Sequence, residues 1–232
     1  MDRIIDINNV ETYPTELIEL FKEDNKQIDF EDVLKNYYFR CAHVCCTDNV
    51  DNYKKYGIMR PYQVNKDGST RINDKLKNII LTPLKNYSNY NLYYRKYDEV
   101  LEYTYEKNKS LVDDWYGKYS CVCYTLDGIN KINTNNPAYE PIINLYGGEV
   151  LRDIGVPEKI AEELGIKYKT YIIYFKLSYY EVAKKCIYPP DIVEHMRIKY
   201  ENRKSKYEFE NNINKDISPS DFIEIYEVNK SE

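Results

Sequence analysis

Apolar and polar positions along the chain predict strands scattered among short helices. Residues 37–46 form a dense run of β-forming side chains, and residues 171–177 form the clearest strand in the chain. Residues 119–125 alternate well enough for a further strand, and residues 217–228 predict a turn that leads into a final strand. No internal repeat or low-complexity linker interrupts this order.

Helical periodicity predicts the elements between these strands. We expect two short helices within residues 13–36, the second capped by Asp29, and a short helix that follows residue 48 and ends at Gly57. Further helices are expected over residues 72–84, 94–105, 157–164, 180–186 and 190–207, with Gly165 ending the third of these segments. Strands interspersed irregularly with helices favour a single α+β domain over a repeated βαβ unit.

The segment around Glu149 combines an apolar run with two glycines. Residues 142–146 are largely apolar, Gly147 and Gly148 follow, and Val150 and Leu151 are expected to continue the run. Two glycines allow positive φ or a close approach to a ligand, so Glu149 is presented on a sharp corner. A carboxylate in this position is a candidate catalytic group, and a turn glutamate without a role is the alternative.

Composition and charge narrow the classes of function. Tyrosine is abundant, with 27 residues against six Phe and one Trp, and is expected mainly to fill core positions. The net charge of −5 argues against a general nucleic-acid binder, which needs a basic face. The apolar runs are too short to cross a bilayer, and no secretory signal opens the chain, so we expect a cytoplasmic protein without membrane contact.

The six cysteines indicate neither a zinc site nor a disulfide framework. None belongs to a C-x2-C pair, and without a secretory signal reduced thiols are expected. We therefore predict no structural metal, and a site built from Cys41, Cys45, Cys121 and Cys123 is the alternative. A Rossmann G-x-G-x-x-G sequence and a Walker A sequence are also missing, so any nucleotide is bound by another kind of cradle.

Histidine is scarce, with only His43 and His195 in the chain. His43 lies in a strand-like run just before a polar turn, where a lone histidine is commonly a satisfied core residue. Its candidacy for function depends on partners that meet it in space, which sequence spacing does not reveal.

A resemblance to a known family gives these residues a common context. Residues 38–59, YFRCAHVCCTDNVDNYKKYGIM, resemble the opening motif of the ADP-ribosyltransferase-like fold, as in DarT-type and related bacterial and phage proteins. The matching residues are His43 at the end of the first strand, Asn49, and Gly57-Ile58 after the short helix.

Later segments resemble further motifs of the same family in the same order. YSCVCYT at residues 119–125 is similar to the second motif, whose functional residue is Tyr124 or Thr125 here, and Glu149 within LYGGEVL is similar to the third. Residues 170–182 and 217–228 resemble its C-terminal strands. The chain departs from the pattern at Gly147, where arginine-modifying members carry a Glu or Gln two residues before the catalytic Glu.

The resemblance implies a fold, a substrate and residue roles. The fold is an antiparallel β-sandwich with short surrounding helices over residues 37–232, preceded by a helical extension over residues 1–36. The implied substrate is NAD, cleaved at the nicotinamide–ribose bond with transfer of ADP-ribose to water or to an acceptor such as a protein or nucleic acid. A role as a toxin or in phage–host conflict follows by family analogy alone.

Within that resemblance, Glu149 stabilises the oxocarbenium-like transition state or polarises the ribose 2′-hydroxyl, and His43 binds ribose or adenosine hydroxyls. An aromatic ring stacks on the cationic nicotinamide, and the candidates are Tyr56, Tyr62, Tyr124 and Tyr146. Two rival hypotheses stand beside it. One is a non-catalytic binding protein on the same fold, and the other is an effector nuclease of unrelated fold, for which Asp113-Asp114 is the adjacent acidic pair.

Overall fold

A computed structural model describes residues 3–22, 29–65, 67–108, 119–126, 146–183, 192–203 and 210–228. The described α-helices are α1 (Thr15–Lys22), α2 (Phe30–Leu34), α3 (Asp51–Tyr56), α4 (Asp74–Leu81), α5 (Tyr90–Asn108), α6 (Gly148–Asp153), α7 (Glu158–Lys167), α8 (Tyr179–Ala183) and α9 (Ile192–Tyr200). The described strands are β1 (Ile4–Ile5), β2 (Tyr38–Thr47), β3 (Tyr62–Val64), β4 (Thr70–Ile72), β5 (Val122–Thr125), β6 (Lys169–Ser178), β7 (Glu210–Ile213) and β8 (Phe222–Val228). Short 3₁₀ helices cover Val10–Thr12, Thr82–Leu84 and Pro219–Asp221.

The fold is mixed α and β, with a main sheet whose strands run antiparallel in the order β7-β5-β2-β6-β8. Strand β2 lies at its centre and pairs with β6 along its whole length, from Tyr38–Ser178 to Thr47–Lys169. The short β1 adds a parallel pairing to the start of β2, and β3 and β4 form a separate hairpin. The β2–β6 ladder is therefore the frame on which the other elements are placed.

Most of the predicted elements are confirmed. The strands predicted around residues 37–46, 119–125, 171–177 and 217–228 correspond to β2, β5, β6 and β8. Asp29 caps α2 by accepting a hydrogen bond from the backbone N–H of Glu31, as expected. Gly57 ends α3 with a φ of 78°, also as expected.

Several expectations are wrong, mainly where strands are short or apolar runs are ambiguous. Strands β1, β3, β4 and β7 were not predicted; three of them have two or three residues, too few to show alternation. Gly165 does not end a helix, because α7 continues to Lys167 and buries Gly165. Val150 and Leu151 continue no strand but belong to helix α6. The predictions for residues 142–145, 184–186, 190–191 and 204–207 lie outside the described residues.

The described residues form two main hydrophobic clusters of buried side chains. The first, called the sheet core, packs Phe39, Cys41, Ile173 and Phe175 from one face of β2 and β6 against helices such as α1. The second, called the helical core, is built on α4–α7 with the hairpin strand β3, and its buried members are Tyr62, Leu81, Leu84, Tyr93, Tyr97, Leu101, Tyr119, Tyr146, Val150, Leu151, Ile154, Val156 and Leu164.

The first 36 residues take part in this arrangement. Ile4 and Ile5 pair with Tyr38 and Phe39, and Leu17 and Leu34 belong to the sheet core. Within the described part of the chain, no helix is both long enough and apolar enough to cross a membrane.

Candidate functional site

The candidate site lies in a fork between two neighbouring strands. Strand β6 pairs with every residue of β2, whereas β5 pairs with β2 at Ala42–Thr125. Beyond that pair, one cavity is lined by residues 43–47 of β2, by Val122 and Cys123 of β5, and by the preceding Cys121. The strands therefore separate after Ala42, and their separation leaves space within the sheet.

The cavity has a volume of about 250 Å³. Its remaining described walls come from helices α3 and α4, from the chain after α3, and from the start of α6. The lining side chains include members of both the sheet core and the helical core, such as Cys45 and Val150. The space is slightly smaller than the roughly 300–1,000 Å³ of typical small-molecule sites, so it suits part of a ligand of the size of NAD.

His43 lines this cavity with a defined ring state. Its Nδ1 atom lies 2.9 Å from the carbonyl oxygen of Cys123, on the opposite arm of the fork. Because a carbonyl oxygen only accepts, Nδ1 carries the hydrogen and Nε2 is the ring's acceptor in the neutral form. Burial lowers the pKa of His43, and the Cys123 hydrogen bond only partly offsets this, so the imidazole is neutral at pH 7.

Tyr53 and Cys45 also line the cavity, and the NAD site predicted from the sequence included neither of them. The phenol of Tyr53 forms a hydrogen bond with the Cys45 thiol, and burial raises the pKa of both groups, that of Cys45 to about 12. The Cys45 sulfur is therefore a thiol at neutral pH and is not an activated nucleophile. Helical spacing offered one signal, because Tyr53 lies one turn before Gly57, which also lines the cavity.

Tyr146 is the candidate aromatic residue that reaches the cavity wall. Its ring is buried and meets the ring of Tyr168 edge-on at 5.1 Å between centroids. Its hydroxyl donates to the carbonyl oxygen of Ile79, at 3.3 Å, and burial raises its pKa. These contacts hold the ring in one orientation beside the cavity.

Glu149 lies next to the cavity but its side chain is directed elsewhere. Gly147 and Val150, on either side of it in sequence, both line the cavity, whereas Glu149 is not among the described lining residues. Its carboxylate, with 53% of the side chain exposed, forms an ion pair with Arg152 at 3.1 Å. The expected corner before a strand is instead the first turn of α6, because Gly147 adopts a left-handed φ of 69° immediately before that helix.

The other candidates occupy different surroundings. Tyr62 lies in the helical core beside Tyr105, and Tyr124 lies in the sheet core against Phe175. Thr125 is buried at the base of the fork, paired with Ala42. The structure thus brings His43, Tyr146 and the segment around Glu149 to the cavity, and it places these other residues away from the described lining.

The Tyr56 ring already has a cationic neighbour. Lys75 Nζ lies 3.6 Å from the ring centroid. A positively charged nicotinamide stacked on this ring would meet that ammonium group, which disfavours Tyr56 as the stacking residue.

The thiols and acidic groups give no metal-binding cluster among the residues that the structure describes. Cys45, Cys46, Cys121 and Cys123 all line the cavity. Among the described residues, neither these four cysteines nor Cys41 is in a disulfide. Asp113 and Asp114, the acidic pair of the nuclease hypothesis, lie outside the described residues.

Comparison with known proteins leaves the resemblance untested. No family model matches the chain. No curated protein matches it, and no solved structure does either. The ADP-ribosyltransferase-like assignment therefore stays a prediction, and the function has to be argued from the cavity itself.

Proposed function

We propose that the chain is an NAD-dependent ADP-ribosyltransferase-like enzyme that binds NAD at the forked cavity. In this proposal the main sheet belongs to a β-sandwich domain of that fold. The reaction breaks the bond between nicotinamide N1 and ribose C1′, and the bonding electrons leave with nicotinamide. Water or the nucleophile of a macromolecular acceptor then forms the new bond to C1′.

One observation carries the proposal. His43 and the residues that flank Glu149 are about a hundred positions apart in the sequence, yet both segments line the same cavity. The resemblance implies this meeting of first and third motifs.

The lining chemistry is compatible with the ribose and nicotinamide parts of NAD. The Nε2 atom of neutral His43 accepts a hydrogen bond from a ribose hydroxyl, and Cys123 keeps the ring in the required tautomer. Tyr146 offers an aromatic surface at the wall. In the proposal, the Glu149 carboxylate stabilises positive charge that develops on the ribose.

For this role the Glu149 carboxylate has to leave its ion pair with Arg152 and contact the bound ligand instead. The Glu149–Arg152 pair is exposed on both sides and joins residues of one short helix. Exposed ion pairs of this kind contribute only about 0–1 kcal/mol, so the exchange costs little compared with the binding energy of a nucleotide. A rotation of the Glu149 side chain toward Gly147 and Val150 is the change that the proposal requires.

The test is release of nicotinamide from NAD by wild type and by Glu149→Gln. We expect the substitution to lower the rate by on the order of a hundredfold or more, since it removes the charge and keeps the shape. Glu99→Gln is the matched control, because Glu99 forms an exposed ion pair with Arg95 on α5, and it should keep the wild-type rate. Matched melting curves show whether the loss reflects folding.

A second candidate function is binding of the same ligand without turnover. It is favoured by the observation that the described cavity lining contains no carboxylate and that Glu149 is paired with Arg152. This candidate is supported if calorimetry shows that wild type binds NAD, that His43→Ala weakens the binding, and that no nicotinamide is released even when cell lysate supplies acceptors. Wild-type protein that neither binds NAD nor releases nicotinamide would refute both.

A further inference from the structure

Two ammonium groups converge on the ring of Tyr56 at the end of α3. Lys75 Nζ lies 3.6 Å and Lys55 Nζ lies 5.1 Å from the ring centroid. Lys55 also donates a hydrogen bond to the phenol oxygen, and this bond, followed by the charges of the two lysines, lowers the pKa of Tyr56. We call Lys55, Tyr56 and Lys75 the lysine–tyrosine cluster.

The cluster has cations but no carboxylate partner among the described residues. Lys54, the neighbour of Lys55, forms an ion pair with Asp51 at 2.9 Å. Lys55 and Lys75 contact the Tyr56 ring instead, and both side chains are exposed. The chain has a net charge of −5, but these two ammonium groups at one ring make a local positive region that can bind an anion.

The cluster adjoins the cavity through both of the helices that carry it. Tyr56 immediately precedes Gly57, and Lys75 immediately precedes Leu76; Gly57 and Leu76 both line the cavity. Asn52 and Tyr53 of α3 and Ile79 of α4 line it as well. A ligand that enters the cavity and extends outward between α3 and α4 would therefore meet the two ammonium groups.

We propose that the lysine–tyrosine cluster binds the phosphate group of a small molecule whose remaining part occupies the forked cavity. Ammonium groups form short charge-assisted hydrogen bonds with phosphate oxygens, and a phenol adds a further donor. The described cavity lining has no Lys or Arg, so an anionic phosphate is better accommodated at the cluster than inside. Two lysines match one phosphate or pyrophosphate better than a polyanion such as nucleic acid, which needs many cationic contacts.

This inference deepens the proposed function and rests on it only in identifying the phosphate with the pyrophosphate of NAD. Phosphate binding itself requires no cleavage of a glycosidic bond. It is therefore measured with inorganic pyrophosphate as the probe.

The experiment is calorimetric titration of pyrophosphate into wild type, the double variant Lys55→Gln/Lys75→Gln, and Lys54→Gln. We expect the double variant to lose roughly tenfold in affinity, because each exposed charge pair is worth a few-fold. Lys54→Gln, whose lysine is already paired with Asp51, should stay within about twofold of wild type. Added salt should weaken wild-type binding, since the contacts are exposed.

A second readout follows Tyr56 itself. The ultraviolet titration of wild type minus that of Tyr56→Phe isolates the ionisation of this phenol. Pyrophosphate should raise the pKa of Tyr56, because the anion neutralises the two ammonium groups that lower it. The same two proteins are titrated with and without pyrophosphate. A folding difference between wild type and Tyr56→Phe is therefore present in both difference titrations and does not account for a change between them.

The outcomes separate this inference from the proposed function. Equal pyrophosphate affinity in wild type and the double variant, or no binding by wild type at low salt, would overturn the cluster as a phosphate site even if nicotinamide is released. Lysine-dependent binding of anionic vesicles or a single-stranded oligonucleotide without pyrophosphate binding would also overturn it. Lysine-dependent pyrophosphate binding in a protein that releases no nicotinamide would support it and refute the proposed function alone.

Discussion

At the scale of single residues, the environment of His43 decides what the imidazole does. The Cys123 carbonyl selects the tautomer, and burial lowers the pKa of the ring. The same residue type on an exposed loop would be partly protonated near pH 6.5. The position in the fork therefore makes His43 a neutral acceptor and not a cation.

The lowered pKa of His43 has a consequence for stability. Because the folded-state pKa is below the unfolded value near 6.5, the unfolded chain binds more protons as pH falls through that range. The contribution of His43 to stability is thus complete above about pH 6.5 and is lost as pH falls through the folded-state pKa. His43→Asn removes this titration and keeps an amide donor for the Cys123 carbonyl.

We therefore expect the free energy of unfolding of wild type to fall more between pH 7.5 and pH 5 than that of His43→Asn. Urea unfolding at both pH values measures the difference, and other titrating groups affect the two proteins alike. Parallel pH dependences in the two proteins would show that His43 is not desolvated in the folded state.

At the scale of elements, helix α3 ends at Gly57, which forms part of the cavity wall. Gly57 has a φ of 78° and a ψ of −166°, a conformation essentially confined to glycine. The next residue, Ile58, forms an antiparallel bridge with Ile217. A Cβ at Gly57 would lie 1.9 Å from the carbonyl oxygen of Ile217, which is backbone and cannot move independently.

Gly57→Ala should consequently cost about 3 kcal/mol or more of unfolding free energy, since backbone strain and a backbone clash add. Gly68→Ala is the control, with a similar φ of 81° and nothing within 4 Å of its added Cβ. It should cost only about 1–2 kcal/mol, the strain of the left-handed conformation alone. Denaturant unfolding of both variants measures the gap, and equal costs would contradict the clash.

At the scale of the whole molecule, Arg60 joins segments that are far apart in sequence around the cavity. Its guanidinium bonds to Asp216 and to the carbonyl oxygens of Ser120 and Asn214. Asp216 in turn accepts a hydrogen bond from Gln63. This network connects the start of the β3–β4 hairpin to the chain just before β5 and to the segment between β7 and β8.

Asp216→Ala should lower the free energy of unfolding by about 2 kcal/mol, because it leaves the largely buried Arg60 without its counter-charge. Asp51→Ala removes an exposed ion pair with Lys54 and should cost less than about 1 kcal/mol. Urea denaturation compares the two. Similar small losses would mean that the Arg60 network does not hold these segments together.

Local sequence patterns were sufficient for the long strands and insufficient for the shortest ones. The ten residues of β2 and of β6 carry enough β-forming side chains to be recognised. The apolar pair Val150-Leu151 suits a strand or a helix equally well, and the surroundings of α6 selected the helix. His43 and the glycine-flanked Glu149 could be nominated from residue type and resemblance, but not the contribution of Tyr53 or Cys45.

The sequence by itself determined the order and type of the main elements and the glycine cap of α3, because these depend on neighbouring residues. Only the tertiary structure decided that β2 and β5 separate after Ala42–Thr125, that Cys123 orients His43, and that Glu149 pairs with Arg152 beside the cavity. Those features depend on contacts between segments distant in the chain or on the direction of a side chain, and a local pattern of apolar and polar residues specifies neither.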